Sequence, residues 1–192
     1  MGPIEILPPD PQWPGEFDVV GRRLRDALGD HALRIDHIGS TSVPGLPAKD
    51  VIDVQVTVPE ERDLVPAAAR LQENGWTFNP AFHRDHHVPG MPEADDGWRK
   101  AFVREPQGER RVNVHIRVDG RANQRYALLF RDYLREHPSS AAAYATFKRG
   151  LATLAPSIDV YTDLKDPACD LIYLAAEPWA TATGWRPGSS DA

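Results

Sequence analysis

His37-Ile38-Gly39-Ser40-Thr41-Ser42-Val43-Pro44-Gly45-Leu46-Pro47-Ala48-Lys49, then after Asp50 the run Val51-Ile52-Asp53-Val54-Gln55-Val56-Thr57-Val58, is the stretch on which the fold turns. The second half is β-branched and alternates. Ile52, Val54, Val56 and Val58 fall on one face, and Val51, Asp53, Gln55 and Thr57 on the other. That is a half-buried strand carrying a polar row. His31 to Ile38 reads as a shorter strand leading into the Gly/Ser/Pro loop 39–50. Gly39 lets another group approach the backbone closely. Ser40, Thr41 and Ser42 offer hydroxyls and amides that can together cradle a phosphate, and Lys49 can add a point charge. Asp53 then leaves its strand on the polar face, at the height of a metal-bound phosphate. The spacing alone fits equally well a polar turn joining two strands, with Asp53 capping a neighbour.

Outward from this stretch the chain alternates helix and strand signals. Pro14 suits a first helical turn, and Phe17, Val20, Leu24 and Leu28 recur at helical spacing before Gly29. A second helix is expected from about Asp63 to Asn74, closed by Gly75. Phe78 to Gly97 is polar and reads as a loop. Its His83, Arg84, Asp85, His86 and His87 invite a metal reading, against which stands the commoner solvated loop. Trp98 to Arg104 and Arg110 to Val118 form an expected hairpin. In its second strand Val112, Val114, Ile116 and Val118 oppose Arg111, Asn113, His115 and Arg117.

Three helices should follow. The first runs from Asn123 to His137, stopped by Pro138, and the second from Ser139 or Ser140 to Leu154. The third runs from about Asp166-Pro167 to just before Pro178. Strands early and helices late make an α+β chain. One domain is expected over 1–184, with 185–192 as a frayed tail.

Of the 192 residues 41% are hydrophobic and 26% charged, and the formal net charge is −6. That balance suits a folded core, and no basic stripe supports binding to duplex nucleic acid. No apolar run is long enough for a membrane helix, and the first residues resemble neither a signal nor a transit peptide. Cys169 is the only cysteine, which excludes an internal disulfide and makes a cytoplasmic protein the expectation.

The HIGSTSVPGLPAKDVIDVQV segment resembles the hallmark of the GrpB family. The likeness continues in Val112-Asn113-Val114-His115-Ile116-Arg117, in Phe130-Arg131-Asp132-Tyr133-Leu134-Arg135, in Tyr144 with Lys148, and in Tyr161 to Pro167. It is closest to the GrpB-like domain appended to some bacterial dephospho-CoA kinases, although no GxxxxGK[ST] phosphate loop is present. The resemblance implies a nucleotidyltransferase-like mixed sheet packed with helices. It implies phosphate binding by Gly39, Ser40 and Thr41, with Lys49 or Arg131 assisting, and a divalent metal (Mg²⁺ or Mn²⁺) at Asp53, Gln55 and His115. The cofactor implied is a nucleoside triphosphate, with ATP the first choice, whose nucleotidyl group passes to a small acceptor. Asn113, Arg117, Tyr144, Lys148, Tyr161 and Lys165 stand as substrate-side candidates.

The family pattern of two carboxylates on one strand is broken here. Gln55 takes the second position, and Asn113 and His115 stand where a third acid is often found. A histidine suits Zn²⁺, Mn²⁺ or Fe²⁺ better than Mg²⁺. The alternative implied by the break is a non-catalytic module that binds a nucleotide or helps a partner protein fold. Arg131 and Arg135 share a helix face, where surface pairing with Asp132 and Glu136 competes with a role in the cleft. Tyr126, Phe130, Tyr133 and Leu134 read as core between helices.

Overall fold

The computed structural model describes residues 4–91 and 95–192. Helix α1 (Trp13–Leu28) buries Trp13, Phe17, Val20, Gly21, Leu24 and Leu28, a stripe at helical spacing. Each large apolar side chain so buried contributes about 1.5–3 kcal/mol. Strand β1 (Arg34–Ile38) leads through a tight turn at Ser40–Ser42 and a loop into β2 (Ile52–Val58). Helix α2 (Leu64–Glu73), β3 (Thr77–Phe78), β4 (Lys100–Arg104) and β5 (Val112–Val118) follow, then α3 (Ala122–Glu136), α4 (Pro138–Leu154) and α5 (Ile158–Thr183). The architecture is α+β, with a helical C-terminal half.

The sheet order is β1-β2-β5-β4-β3. The central pair β2/β5 is parallel, with Asp53 opposite Asn113, Gln55 opposite His115 and Thr57 opposite Arg117. All other pairings are antiparallel. Ile35, Val54, Val56, Val114 and Ile116 face α1 and α2 and form the main core with them. The opposite face carries the polar rows, beneath the layer of α3, α4 and α5.

Three boundaries differ from the sequence reading. Helix α5 begins well before Pro167 and runs past Pro178. Ser157 caps it, accepting from the Val160 N–H at 3.3 Å. Both prolines lie on its exposed side, as do Asp163 and Leu174 four residues before them, so the freed carbonyls face water. Helix α4 starts on Pro138 itself, which needs no N–H partner in a first turn, and not on a serine cap. Residues 190–192, within the stretch read as a frayed tail, lie against β1. Ser190 Oγ accepts from the Ile35 N–H, and the N–H groups of Asp191 and Ala192 donate to Ile35 O.

The loop read as solvated extends partly beyond the described residues. Its described portion is tied to β4 through Lys100 N–H to His83 O and to the turn before β4 through Asp85 N–H to Trp98 O, both 2.9 Å. No helix among the described residues is long and apolar enough to cross a membrane.

Candidate functional site

A cavity of about 330 Å³ opens between the polar face of the sheet and α3–α5. The β1–β2 connection supplies Gly39, Ser40, Thr41 and Lys49; β2 supplies Asp53; β5 supplies Asn113, His115 and Arg117. Tyr126 and Phe130 come from α3, Tyr144 and Lys148 from α4, and Tyr161, Thr162, Lys165 and Cys169 from α5.

The turn at Gly39 is built against Asp53. Gly39 has φ 70°, and a Cβ there would lie 2.5 Å from Asp53 Oδ2, inside any tolerable contact. Only glycine meets both conditions. Past it, the three hydroxyls have different partners. Ser42 Oγ donates to Gly39 O at 2.6 Å. Thr41 Oγ1 contacts His37 Nε2 at 3.0 Å and donates to Val51 O at 3.4 Å. Ser40 Oγ accepts from Lys148 Nζ at 2.7 Å, and Lys148 also donates to Pro47 O at 2.6 Å.

Among the described residues, Asp53 is the one carboxylate that lines the cavity. Burial raises its pKa, against the Asn113 hydrogen bond (2.8 Å to Oδ1) and the Lys49 charge. Three lysines surround it. Burial and the Lys165 charge lower Lys49, which lies 5.2 Å from the Tyr161 ring centre. Burial and the same neighbour bring Lys148 down to about 7. Burial also opposes the charge of Lys165, but Cys169, Asp166 and Asp53 outweigh it and raise its pKa.

Gln55 does not line the cavity, although it shares the sheet face with Asp53. Its Oε1 accepts from Arg117 at 2.7 Å and its amide donates to Gln124 O at 3.2 Å. Both ends of the amide are committed to the floor, so its assignment as a metal ligand is withdrawn. Arg131 is likewise withdrawn as a phosphate ligand. It is buried behind β1, donating to His37 O (3.0 Å), Asp132 and Asp191. Its place at β1 follows from the helical face it shares with Arg135, which donates to Ser42 O at 2.8 Å.

His115 lines the cavity, and Lys100 Nζ lies 3.3 Å from its Nδ1. Burial and the Lys100 and Arg117 charges hold it well below the ordinary histidine range, hence neutral. Arg117 reaches both Gln55 and Asp85, the latter at 2.9 and 3.1 Å. Asp85 also takes Lys100 at 2.5 Å and Asn123 at 3.0 Å. Burial alone would raise the Asp85 carboxyl, but Arg117 and Lys100 hold it well below the carboxylate range. The periodicity gave no sign of Asp85, because a loop has no repeat that aims a side chain. Tyr126 and Phe130, read as core, do pack between helices and also wall the cavity.

The donor set does not fit a divalent-metal site of the kind the paired-carboxylate pattern provides. Asp53 is alone, Gln55 is engaged elsewhere, and Asn113 offers its amide N–H to Asp53. No group of three or more histidine, cysteine or acidic side chains among the described residues is placed to hold a metal ion. A hard cation takes several oxygen ligands, carboxylates foremost, and among the described residues Asp53 is the only carboxylate that lines this cavity. Its excess of lysines instead favours an anion.

The model of the family described as GrpB protein matches residues 3–174. The chain belongs to the GrpB family. It is 37% identical over 204 aligned residues to a dephospho-CoA kinase of Mycolicibacterium paratuberculosis, an alignment covering 96% of this chain and 49% of the kinase. The chain thus spans about half the length of that relative. The crystal structure of conserved protein GrpB from Enterococcus faecalis overlays with a TM-score of 0.73 at 31% identity, covering 90% of this chain and 96% of that one. Terminal uridylyltransferases are among the more distant neighbours. Cid1 in complex with its short product ApU gives a TM-score of 0.48 at 13% identity, over 74% of this chain and 42% of Cid1.

Proposed function

We propose that this GrpB chain is a nucleotide-binding module that holds the phosphates of a nucleoside triphosphate directly on Lys49, Lys148 and Lys165, without needing a divalent ion. The observation that carries this reading is the composition of the cavity: three lysines from three different segments around one carboxylate whose charge is disfavoured by burial. Ammonium groups in a partly desolvated cleft bind phosphate more strongly than surface lysines do. The Tyr126 and Phe130 rings, 6.2 Å apart and nearly parallel, offer an apolar wall for the base.

Calorimetric titration with ATP, GTP, CTP and UTP, in EDTA and again in excess Mg²⁺, tests this. Binding in EDTA at least as tight as in Mg²⁺, weakened roughly tenfold by Lys165→Met, is the expected result. Binding that appears only with Mg²⁺ or Mn²⁺, together with pyrophosphate release, overturns it in favour of nucleotidyl transfer. That second reading is favoured by the placement of Asp53 against the Gly39-Ser40 turn. As for partners, the GrpB region of a dephospho-CoA kinase suggests that this chain associates with such a kinase. Co-purification of the two separately expressed chains is the check.

A further inference from the structure

Of the three hydroxyls in the Gly39–Ser42 turn, only that of Ser40 faces an amine. Ser42 is bound to Gly39 O, and Thr41 is shared between His37 and Val51 O. Lys148 Nζ sits 2.7 Å from Ser40 Oγ and 2.6 Å from Pro47 O. A carbonyl can only accept, so one N–H of Lys148 is committed to Pro47. A neutral amine then has its lone pair free to take the Ser40 proton.

We propose that Ser40 and Lys148 form a nucleophile–base pair that accepts an acyl group from an ester or thioester bearing an anionic tail. The pairing of a serine hydroxyl with an adjacent amine is a known arrangement for acyl transfer, and it needs neither a histidine nor a metal. Burial and the neighbouring Lys165 and Lys49 charges bring Lys148 down to about 7, so a large fraction is free base at neutral pH. Facing it are Ser40 and Lys49 from the β1–β2 connection, Asp53 from β2, Lys165 and Cys169 from α5, and the Tyr144 ring of its own helix, 4.7 Å away.

Attack at carbon is also what the charges favour. A phosphorus centre ringed by anionic oxygens repels an alkoxide unless cations neutralise it, and here that would take Lys148 as an ammonium beside Lys49 and Lys165, leaving no free amine to accept the Ser40 proton. A carbonyl carbon carries no such shield. Lys165 and Lys49 remain to hold the anionic tail.

In the step, Ser40 Oγ bonds to the carbonyl carbon while its proton passes to Lys148 Nζ. The bond from carbon to the leaving oxygen or sulfur breaks, its electron pair departs with that atom, and Lys148 returns the proton to it. An acyl ester of Ser40 remains. Water, deprotonated by Lys148, then cleaves that ester to a carboxylic acid and restores Ser40. The sum is hydrolysis of one ester or thioester.

The test uses the full chain with p-nitrophenyl acetate and with its anionic analogue, mono-p-nitrophenyl succinate. Nitrophenolate release and the mass of the acid-quenched protein are followed. The expected result is a burst with one acyl group mapped to Ser40, lost in Ser40→Ala and faster with the succinate. Its rate should rise with pH to a plateau, half-maximal near 7. Lys148→Arg, which cannot give up its proton, should slow the burst roughly a hundredfold. Acyl groups on lysines alone, a burst unchanged in Ser40→Ala, or no adduct would each overturn the proposal. So would a wild-type rate still climbing above pH 9, a measurement that stands even if Lys148→Arg fails to fold. ATP titrated into the same samples separates the two readings, since loss of nucleotide binding with acylation intact sinks only the former.

Discussion

Asp53 and Gln55 stand two residues apart on one face of β2, and each lies opposite a polar residue of β5. Yet they belong to different environments. Asp53 opens into the cavity, with a single hydrogen bond from Asn113 and a charge that burial disfavours. Gln55 lies in the floor, fully buried, with its oxygen on Arg117 and its amide on Gln124 O. Around the second position Gln55, Arg117 and Asp85 satisfy one another, although the buried Asn123 Oδ1 beside them has no partner among the described residues, while around the first the polar groups are left for something else. Strand alternation fixes which face a side chain joins. It does not say whether that part of the face is roofed by helix or left open.

The largest test of this contrast is Arg117→Met. It removes the guanidinium that links Gln55 to Asp85 and leaves a buried carboxylate to Lys100 and Asn123. Losing one partner of such a pair costs about 3–5 kcal/mol. Urea denaturation should register a loss of that size, and a loss below 1 kcal/mol would mean that the floor is not a closed network.

The second test concerns pH. His37, stacked on Phe17 at 4.7 Å, is held down to about 3 by burial and by the Arg135 and Arg131 charges. The unfolded chain therefore takes up a proton near 6.5 that the folded chain refuses. Stability must fall as pH drops below 6.5, by about 2 kcal/mol at pH 5. Wild type and His37→Gln, compared at pH 7.5 and 5, should differ in their pH dependence by about that amount. Parallel curves would mean that His37 is not held neutral in the folded chain.

Gln55→Glu is a smaller perturbation. A carboxylate would keep Arg117 but turn an oxygen towards Gln124 O, losing one hydrogen bond worth about 1 kcal/mol. No gain in Mg²⁺ affinity should accompany it, because the side chain does not reach the cavity. A gain seen by calorimetry would restore Gln55 to the site.

Asp53→Asn should do least to the fold, within about 0.5 kcal/mol. It should nevertheless tighten metal-free ATP binding several-fold, by removing the one negative charge among the lysines. Weaker binding would mean that Asp53 contacts the nucleotide favourably.

Much of this was legible in the sequence, and for definite reasons. The β-branched alternation of Ile52–Val58 and Val112–Val118 specified both central strands and their polar rows. The Gly39-Ser40 turn and Asp53 follow from one backbone constraint, which only glycine satisfies. Lys148 and Lys165 entered through family resemblance, since helical spacing alone could not say that α4 and α5 turn them towards the same cavity. The roles of Asp85 and Arg131 were hidden because both depend on contacts across long separations: a loop folded onto β5, and the end of the chain folded onto β1.

That last contact has a consequence for the sheet as a whole. The outer side of β1 would otherwise present an open ladder to any extended chain. Here the Ile35 N–H donates to Ser190 Oγ, and the His37 N–H donates to Asp191 Oδ2. Ile35 O accepts from two backbone amides of the terminal segment, and His37 O accepts from Arg131. Most of these partners are side chains, so the segment covers the edge without becoming a regular strand that could itself recruit another. The opposite edge, β3, is two residues long. A five-stranded sheet closed in this way offers little template for intermolecular β-pairing, and so little route to aggregation through its edges.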